Sequence, residues 1–148
     1  VRAQYERLCD LLGRLPSHVD THKHVHRSDA VAFDALCALD VPVRASTEGL
    51  RRALRRRGIP CTDRFVGDVS PAPYWTARRL RETVGGLRPG ITELMCHPAL
   101  GDDVPAPLWY RAQRRHEAAT LLAPHLRDRL RARGVTLVSY AVLTRTAP

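Results

Sequence analysis

The stretch from His18 to His26 constrains this chain more than any other, because nine residues carry four histidines and an aspartate. These potential ligands occupy even positions only: His18, Asp20, His22, His24 and His26. Alternate side chains of an extended chain point to one face, whereas residues two apart in a helix lie ~200° apart. The β-branched residues between them favour the extended form: Val19, Thr21 and Val25. We therefore favour a strand here; if it were extended throughout, it would present an unbroken row of imidazole and carboxylate groups.

Such a strand would be too long for one metal site, since nine extended residues span ~30 Å. We expect it to end near His22, with His24 and His26 on the loop that follows. Imidazoles two apart on a strand can share one ion, and those further along would contact substrate or support the ligands. The alternatives are a hydrogen-bonded histidine cluster, or a histidine-rich tract that takes up metal without function.

The rest of the chain alternates between predicted helices and short apolar strands. Apolar spacing and capping residues predict helices over residues 2–15, 28–39, 47–57, 74–87, 108–122 and 124–133. Apolar runs predict strands over residues 41–44, 61–66, 91–97 and 135–143. Strands that alternate with helices and are nearly continuous in apolar character indicate a parallel sheet. We expect an α/β fold, with residues 1–148 as a single domain.

Charge and composition narrow the function classes. The formal charge of +9 comes almost wholly from arginine, since Lys23 is the only lysine. Aromatic residues make up 5% of the chain, too few for the stacking platform of single-strand binders, so a nucleic-acid partner is not the favoured reading. The four cysteines form no Cys-x-x-Cys pair, which indicates a reducing, cytoplasmic environment. No apolar run reaches the ~20 residues of a membrane span.

Three blocks of the sequence resemble one known family. Residues 16–26, Pro-Ser-His-Val-Asp-Thr-His-Lys-His-Val-His, are similar to the Pro-Thr-His-x-Asp-Ser-His-x-His-x-His signature of the YdjC-like carbohydrate deacetylases. Residues 93–98, Glu-Leu-Met-Cys-His-Pro, resemble the Glu-Leu-Met-x-His-Pro block of that family. The tail over residues 134–140, preceded by Arg114 and Glu117, is close to the family's ending.

The resemblance implies a fold and an activity. The fold is a TIM-like, irregular (β/α) barrel, and because a complete barrel usually needs ~250 residues, we expect this chain to be its C-terminal portion, with the N-terminal part missing. The activity is metal-dependent hydrolysis that removes acetyl groups from N-acetylated sugars or oligosaccharides. Magnesium is the expected ion, with zinc as the second choice. An incomplete barrel would leave edges that favour a homo-oligomer.

The resemblance also assigns roles to individual residues. His22 matches the metal-binding histidine of the family's Asp-Ser-His step, and Asp20 and His24 beside it would orient it or contact substrate. Arg44 matches a family arginine that could hold a carboxylate or a substrate oxygen, although a surface arginine is equally compatible with the sequence. His97, at the end of an apolar strand, is assigned as a general acid or substrate ligand; the alternative is a hydrogen bond to the next loop.

Two family elements have no counterpart in this sequence. They are an Asp-Asp-x-Gly motif and a further histidine, which supply the base and the other metal ligands. The resemblance therefore gives one metal ligand out of three, and hydrolysis by this chain alone is not assured. The competing hypothesis is a catalytically silent sugar- or metal-binding domain of the same fold. We also expect Glu93 to pair with an arginine such as Arg114, and His116 and His125 to lie on helix surfaces.

Overall fold

The computed structural model describes residues 1–69, 72–101 and 107–144. Within these ranges the α-helices are α1 (Arg2–Leu12), α2 (Ala30–Cys37), α3 (Glu48–Arg56), α4 (Ala77–Gly85), α5 (Leu108–Leu121), α6 (Leu126–Ala132) and α7 (Ala141–Thr144). A 3-10 helix spans His22–Arg27, and the strands are β1 (Arg64–Val66) and β2 (Thr92–Leu94). None of the described helices has the length and apolar character that crossing a membrane requires.

The predicted helices are confirmed because local signals determine them. The Thr47 hydroxyl accepts a hydrogen bond from the Leu50 N–H at 3.2 Å and starts α3. Thr76 caps α4 in the same way. At α2 the cap is Asp29, whose carboxylate accepts from the Ala32 N–H at 3.0 Å. These side chains satisfy backbone donors that a first helical turn leaves without partners.

The strands are shorter than the sequence predicts, and their pairing is parallel. β1 and β2 form a two-stranded parallel sheet, and Val19 makes an isolated parallel bridge with Val43. The predicted strand over residues 135–143 is wrong, because α7 begins within it. There the Val142 N–H donates to the Ser139 carbonyl and the Leu143 N–H to the Tyr140 carbonyl, so the backbone is satisfied by local turns instead of a neighbouring strand.

The described residues divide into two compact units, which we call the first and second unit. The first unit comprises Val1–Phe65 with the described residues from Val138 onward, and the second comprises Val66–Leu137. The core of the first unit consists of Leu36, Val43, Ala45, Leu50, Leu54, Ile59 and Cys61. The expectation of a single domain stays a prediction.

The second unit is built around Trp75, whose side chain is 1% exposed. Leu80, Val84 and Leu130 complete this buried cluster. The indole N–H donates to the Met95 carbonyl at 2.7 Å, so the one polar atom of the ring is satisfied inside the core. This bond holds the chain just beyond β2 in place.

One of the arginines of α3 is buried. Arg51 is 6% exposed and donates to the Thr62 carbonyl at 2.8 Å and to the Ala45 carbonyl at 3.2 Å. It also pairs with Glu48 at 2.6 Å. A guanidinium offers five donors in a fixed plane, so it can satisfy two loop carbonyls and a carboxylate together.

We predict that Gly67→Ala destabilises the second unit. Gly67 has φ of +145°, and a Cβ there would lie 2.5 Å from the Met95 carbonyl oxygen and 2.8 Å from the Met95 Cβ. Backbone strain and the steric clash together should lower the free energy of unfolding by about 1–3 kcal/mol in urea denaturation.

The matched control is Gly49→Ala, which lies in α3 with no atom within 4 Å of the added Cβ. That change should raise the free energy of unfolding by about 0.5–1 kcal/mol, because alanine favours a helix over glycine. Equal effects of the two substitutions would contradict the close approach at Gly67.

Candidate functional site

The histidine segment, residues 18–26, is extended only at its start. The Val19 N–H donates to the Pro42 carbonyl at 2.9 Å, and the Arg44 N–H donates to the Val19 carbonyl at 3.2 Å. Beyond this bridge the chain enters the 3-10 helix, in which Lys23 and His24 both have φ of +54°. The extended stretch therefore ends just before His22, as predicted, and the even-numbered side chains do not continue as one row. Two successive left-handed residues redirect the side chains that follow them.

The histidines of the segment consequently have different surroundings. His18 stacks on Tyr140, with ring centroids 3.8 Å apart and planes 7° apart. The side chain of His22 is exposed, whereas His26 is 2% exposed. His24 lies between these extremes and places its ring edge against Phe65, 5.8 Å between centroids.

His26 is a structural residue that the alternating pattern does not single out. Its Nδ1 lies 2.6 Å from the Thr21 Oγ1, and its Nε2 lies 3.1 Å from the Arg44 carbonyl oxygen. Because a carbonyl can only accept, Nε2 carries the proton and Nδ1 accepts from the Thr21 hydroxyl. Both ring nitrogens are engaged, so neither is available to a metal. Burial lowers the pKa of His26 below its ordinary value, although the bond to the Arg44 carbonyl opposes the shift.

The second group of the segment joins Asp20, His24 and Arg44. The Arg44 guanidinium forms an ion pair with the Asp20 carboxylate. The His24 Nδ1 lies 3.5 Å from the other Asp20 oxygen and has no hydrogen-bond partner. The Arg44 guanidinium also lies 5.9 Å from the centroid of the Phe65 ring. A carboxylate, an arginine, an imidazole and an aromatic ring thus meet at this point of the first unit.

The donor types in this group suit a divalent ion, but their number does not complete a site. His22 is exposed, and the His24 Nδ1 is a buried nitrogen without a partner. Asp20 is already neutralised by Arg44, and that positive charge would compete with a bound cation. Across residues 1–69, 72–101 and 107–144, no three His, Cys, Asp or Glu side chains converge in a way that could hold a metal. Further ligands would be needed.

The block around His97 lies in the second unit and is fixed through its backbone. The His97 N–H donates to the Glu117 Oε2 at 2.8 Å, and the Arg114 Nε–H donates to the His97 carbonyl at 3.2 Å. Glu117 is 0% exposed, and its Oε1 lies 3.4 Å from the Gln113 Nε2. The His97 ring lies beside Tyr110, with centroids 6.2 Å apart. Helix α5 therefore holds His97 by both peptide groups.

The sequence did not predict this use of Glu117. Its spacing from Gln113 and Arg114 places the three side chains on neighbouring positions of one helix surface, which is the signal that was present. Arg114 donates to the His97 carbonyl and lies over the Tyr110 ring at 5.5 Å, and the pairing of Glu93 with an arginine stays a prediction. His116 and the side chain of His125 are exposed, as predicted.

This chain, mainly helical with a small parallel sheet, a histidine-rich turn and a Glu-Leu-Met-x-His-Pro block, matches a known family over most of its length. The family described as YdjC-like protein matches residues 1–132, and the chain therefore belongs to it. This confirms the resemblance drawn from the three sequence blocks.

Named relatives are longer than this chain. A chitooligosaccharide deacetylase of Serratia marcescens is 30% identical over 148 aligned residues, covering 95% of this chain and 58% of that protein. A carbohydrate deacetylase of Geobacillus stearothermophilus is 35% identical over 141, covering 93% and 56%. The crystal structure of a protein described as a cellobiose-phosphate cleavage protein, from Enterococcus faecalis V583, superposes with a TM-score of 0.66 at 20% identity. The superposition covers 96% of this chain and 58% of the Enterococcus protein, and it shows similarity of fold alone.

We predict that His26 makes the protein less stable in mild acid. The pKa of His26 is lower in the folded protein than the ~6.5 of an unfolded chain. At pH values between the two pKa values, the unfolded chain binds a proton that the folded chain does not bind. The free energy of unfolding should therefore fall as pH drops from 7 to 5, by at most about 1.4 kcal/mol per pH unit from this group. Urea denaturation at several pH values measures the slope.

His26→Gln should remove this part of the slope, because glutamine does not titrate. The matched control is His116→Gln, a substitution of an exposed helix histidine, which should keep the wild-type slope. An unchanged slope in His26→Gln would contradict the assignment of a buried, neutral imidazole.

Proposed function

We propose that this chain forms part of a metal-dependent carbohydrate deacetylase, a hydrolase that cleaves the C–N amide bond of N-acetylated sugars. The relatives named chitooligosaccharide and carbohydrate deacetylases support the reaction class and the substrate class. The observation that carries the proposal is the Asp20–Arg44 ion pair with His24 beside it, in the same segment as the exposed His22. These groups suit recognition of a hydroxyl-rich amide and ligation of a cation.

Deacetylation needs a nucleophilic water, a base to deprotonate it and an acid for the departing amine. A bound divalent ion, magnesium or zinc, would lower the pKa of a water molecule bound to it and polarise the amide carbonyl. His22 is the proposed ligand in this chain. Arg44 fixes the Asp20 carboxylate, which leaves Asp20, His24 and Arg44 to orient the ligand or to bind sugar hydroxyl groups.

His97 is the proposed general acid or substrate contact. Glu117 and Arg114 hold its backbone on both sides, which fixes the point from which the imidazole extends. An imidazole can donate and accept a proton near neutral pH, which suits transfer to a leaving amine. A fixed backbone reduces the number of conformations that His97 can adopt, which favours proton transfer from one position.

We further propose that the chain forms a partial TIM-like (β/α) barrel, which corresponds to the C-terminal portion of a complete barrel. The parallel pairing of β1 with β2 and of Val19 with Val43 supports this, as does the coverage of 58% of the superposed Enterococcus protein. The base and the remaining metal ligands would come from outside the residues described. A second copy covering the open edges of the barrel, and a cytoplasmic location consistent with four free cysteines, belong to the same proposal.

A catalytically silent sugar- or metal-binding domain is the second candidate. It is favoured by the lack of a three-ligand cluster among the described residues. Both candidates would bind sugar, but only the deacetylase would release acetate.

We predict that His22→Ala weakens the binding of Mg²⁺ and Zn²⁺ by about tenfold or more, because it removes a direct ligand. Isothermal titration of the metal-free protein measures the affinity. His116→Ala is the matched control, since it also removes an exposed imidazole but lies on α5 away from the histidine segment. Equal affinities of the wild type, His22→Ala and His116→Ala would contradict the ligand role of His22.

The reaction itself is tested by release of acetate from N-acetylated chitooligosaccharides by the whole protein that contains this chain. Acetate release that stops when a chelator removes the metal would support the proposed deacetylase function. Binding of the oligosaccharide without acetate release would favour the silent domain, and absence of both would contradict the proposed function.

A further inference from the structure

The second unit contains a groove that neither the histidine segment nor the His97 block uses. It lies between α4 and the region where α5 leads into α6, and its volume is about 380 Å³. Leu80, Val84 and Leu126 supply its apolar floor. This volume falls within the ~300–1,000 Å³ typical of small-molecule sites.

Three arginines line the same groove, and no acidic residue does. They are Arg81 of α4, with Arg129 and Arg133 at the end of α6. Arg129 and Arg133 are four residues apart, so their side chains lie on one face of the helix. In the part of the chain that the structure describes, none of the three takes part in an ion pair.

The acidic residues of these two helices are engaged elsewhere. Glu82 of α4 pairs with Arg78 at 2.8 Å. Asp128 of α6 pairs with Arg131 at 3.6 Å. The charge at the groove is therefore positive and uncompensated by its own helices, on a chain whose formal charge is already +9.

Helix dipoles explain only part of this arrangement. Arg129 and Arg133 lie at the C-terminal end of α6, where a cation is favourable. The Arg133 guanidinium also reaches the end of α4, where a Cβ on Gly85 would lie 3.7 Å from its Nη1. Arg81, however, is in the middle of α4, where the dipole offers no stabilisation. An anion would account for all three.

We infer that the groove binds a small amphiphilic anion, a carboxylate carried on an apolar chain or ring. The apolar floor would remove the body of such a ligand from water, and the guanidinium groups would bind its carboxylate through paired N–H donors. A cation of the same shape would meet the three arginines and be repelled. The inference does not depend on the proposed deacetylation, because the two sets of residues do not overlap.

The test compares decanoate with decyltrimethylammonium, which carries the same chain and the opposite charge. Each is titrated into the protein below its critical micelle concentration, and binding is followed by calorimetry and by amide NMR shifts. Decanoate should bind saturably, shift residues of α4 and α6, and bind about tenfold or more tightly than the cation. The double change Arg129→Gln with Arg133→Gln should weaken decanoate about threefold or more.

Arg127→Gln with Arg131→Gln is the matched control. It removes the same charge from the same helix but from residues that do not line the groove, and should leave decanoate affinity within about twofold. Equal affinity for decanoate and decyltrimethylammonium would overturn the inference, because the groove would then be an apolar face awaiting another protein segment. Absence of binding, or equal losses in the two double variants, would overturn it as well.

Discussion

The hydrogen bonds of the buried His26 ring organise the first unit's candidate site. One ring nitrogen accepts from Thr21 and the other donates to the Arg44 carbonyl, so the imidazole joins the histidine segment to the chain beside it. Between Thr21 and His26 lie two left-handed residues, Lys23 and His24, each of which costs about 1–2 kcal/mol in intrinsic backbone energy. The buried bonds offset that strain, because losing one would leave a desolvated polar group that costs about 1–3 kcal/mol.

The consequence is a division of roles within one histidine-rich stretch. His26 holds the turn, His24 and Asp20 gather beside Arg44, and His22 is left exposed. The backbone carbonyl of Arg44 accepts from His26, and its guanidinium pairs with Asp20. Arg44 therefore links the buried His26 to the group that contains Asp20 and His24. The His97 block is fixed separately, by α5 of the second unit.

The sequence predicts the features that local interactions determine, such as helix starts. It does not predict contacts between residues that are distant in the chain. Thr47 and Thr76 mark helix starts because each bonds to a backbone N–H three residues away. The extended stretch ends near His22, as predicted, but the sequence does not show the contacts that end it: Val19 makes a bridge with Val43, and the Thr21 hydroxyl bonds to the His26 ring. The motifs identified the family and the residue types of the site. They could not give the pairing of Asp20 with Arg44, or the burial of Glu117, since both depend on tertiary contacts.

The most direct measurement of the central claim is the tautomer and exchange behaviour of the His26 ring, read from long-range ¹H–¹⁵N NMR correlations. The structure predicts a neutral ring with the proton on Nε2, a bare Nδ1 and slow exchange of the Nε2 proton with water. A ring that carries its proton on Nδ1, or that shows the averaged, rapidly exchanging signals of an exposed imidazole, would contradict the account.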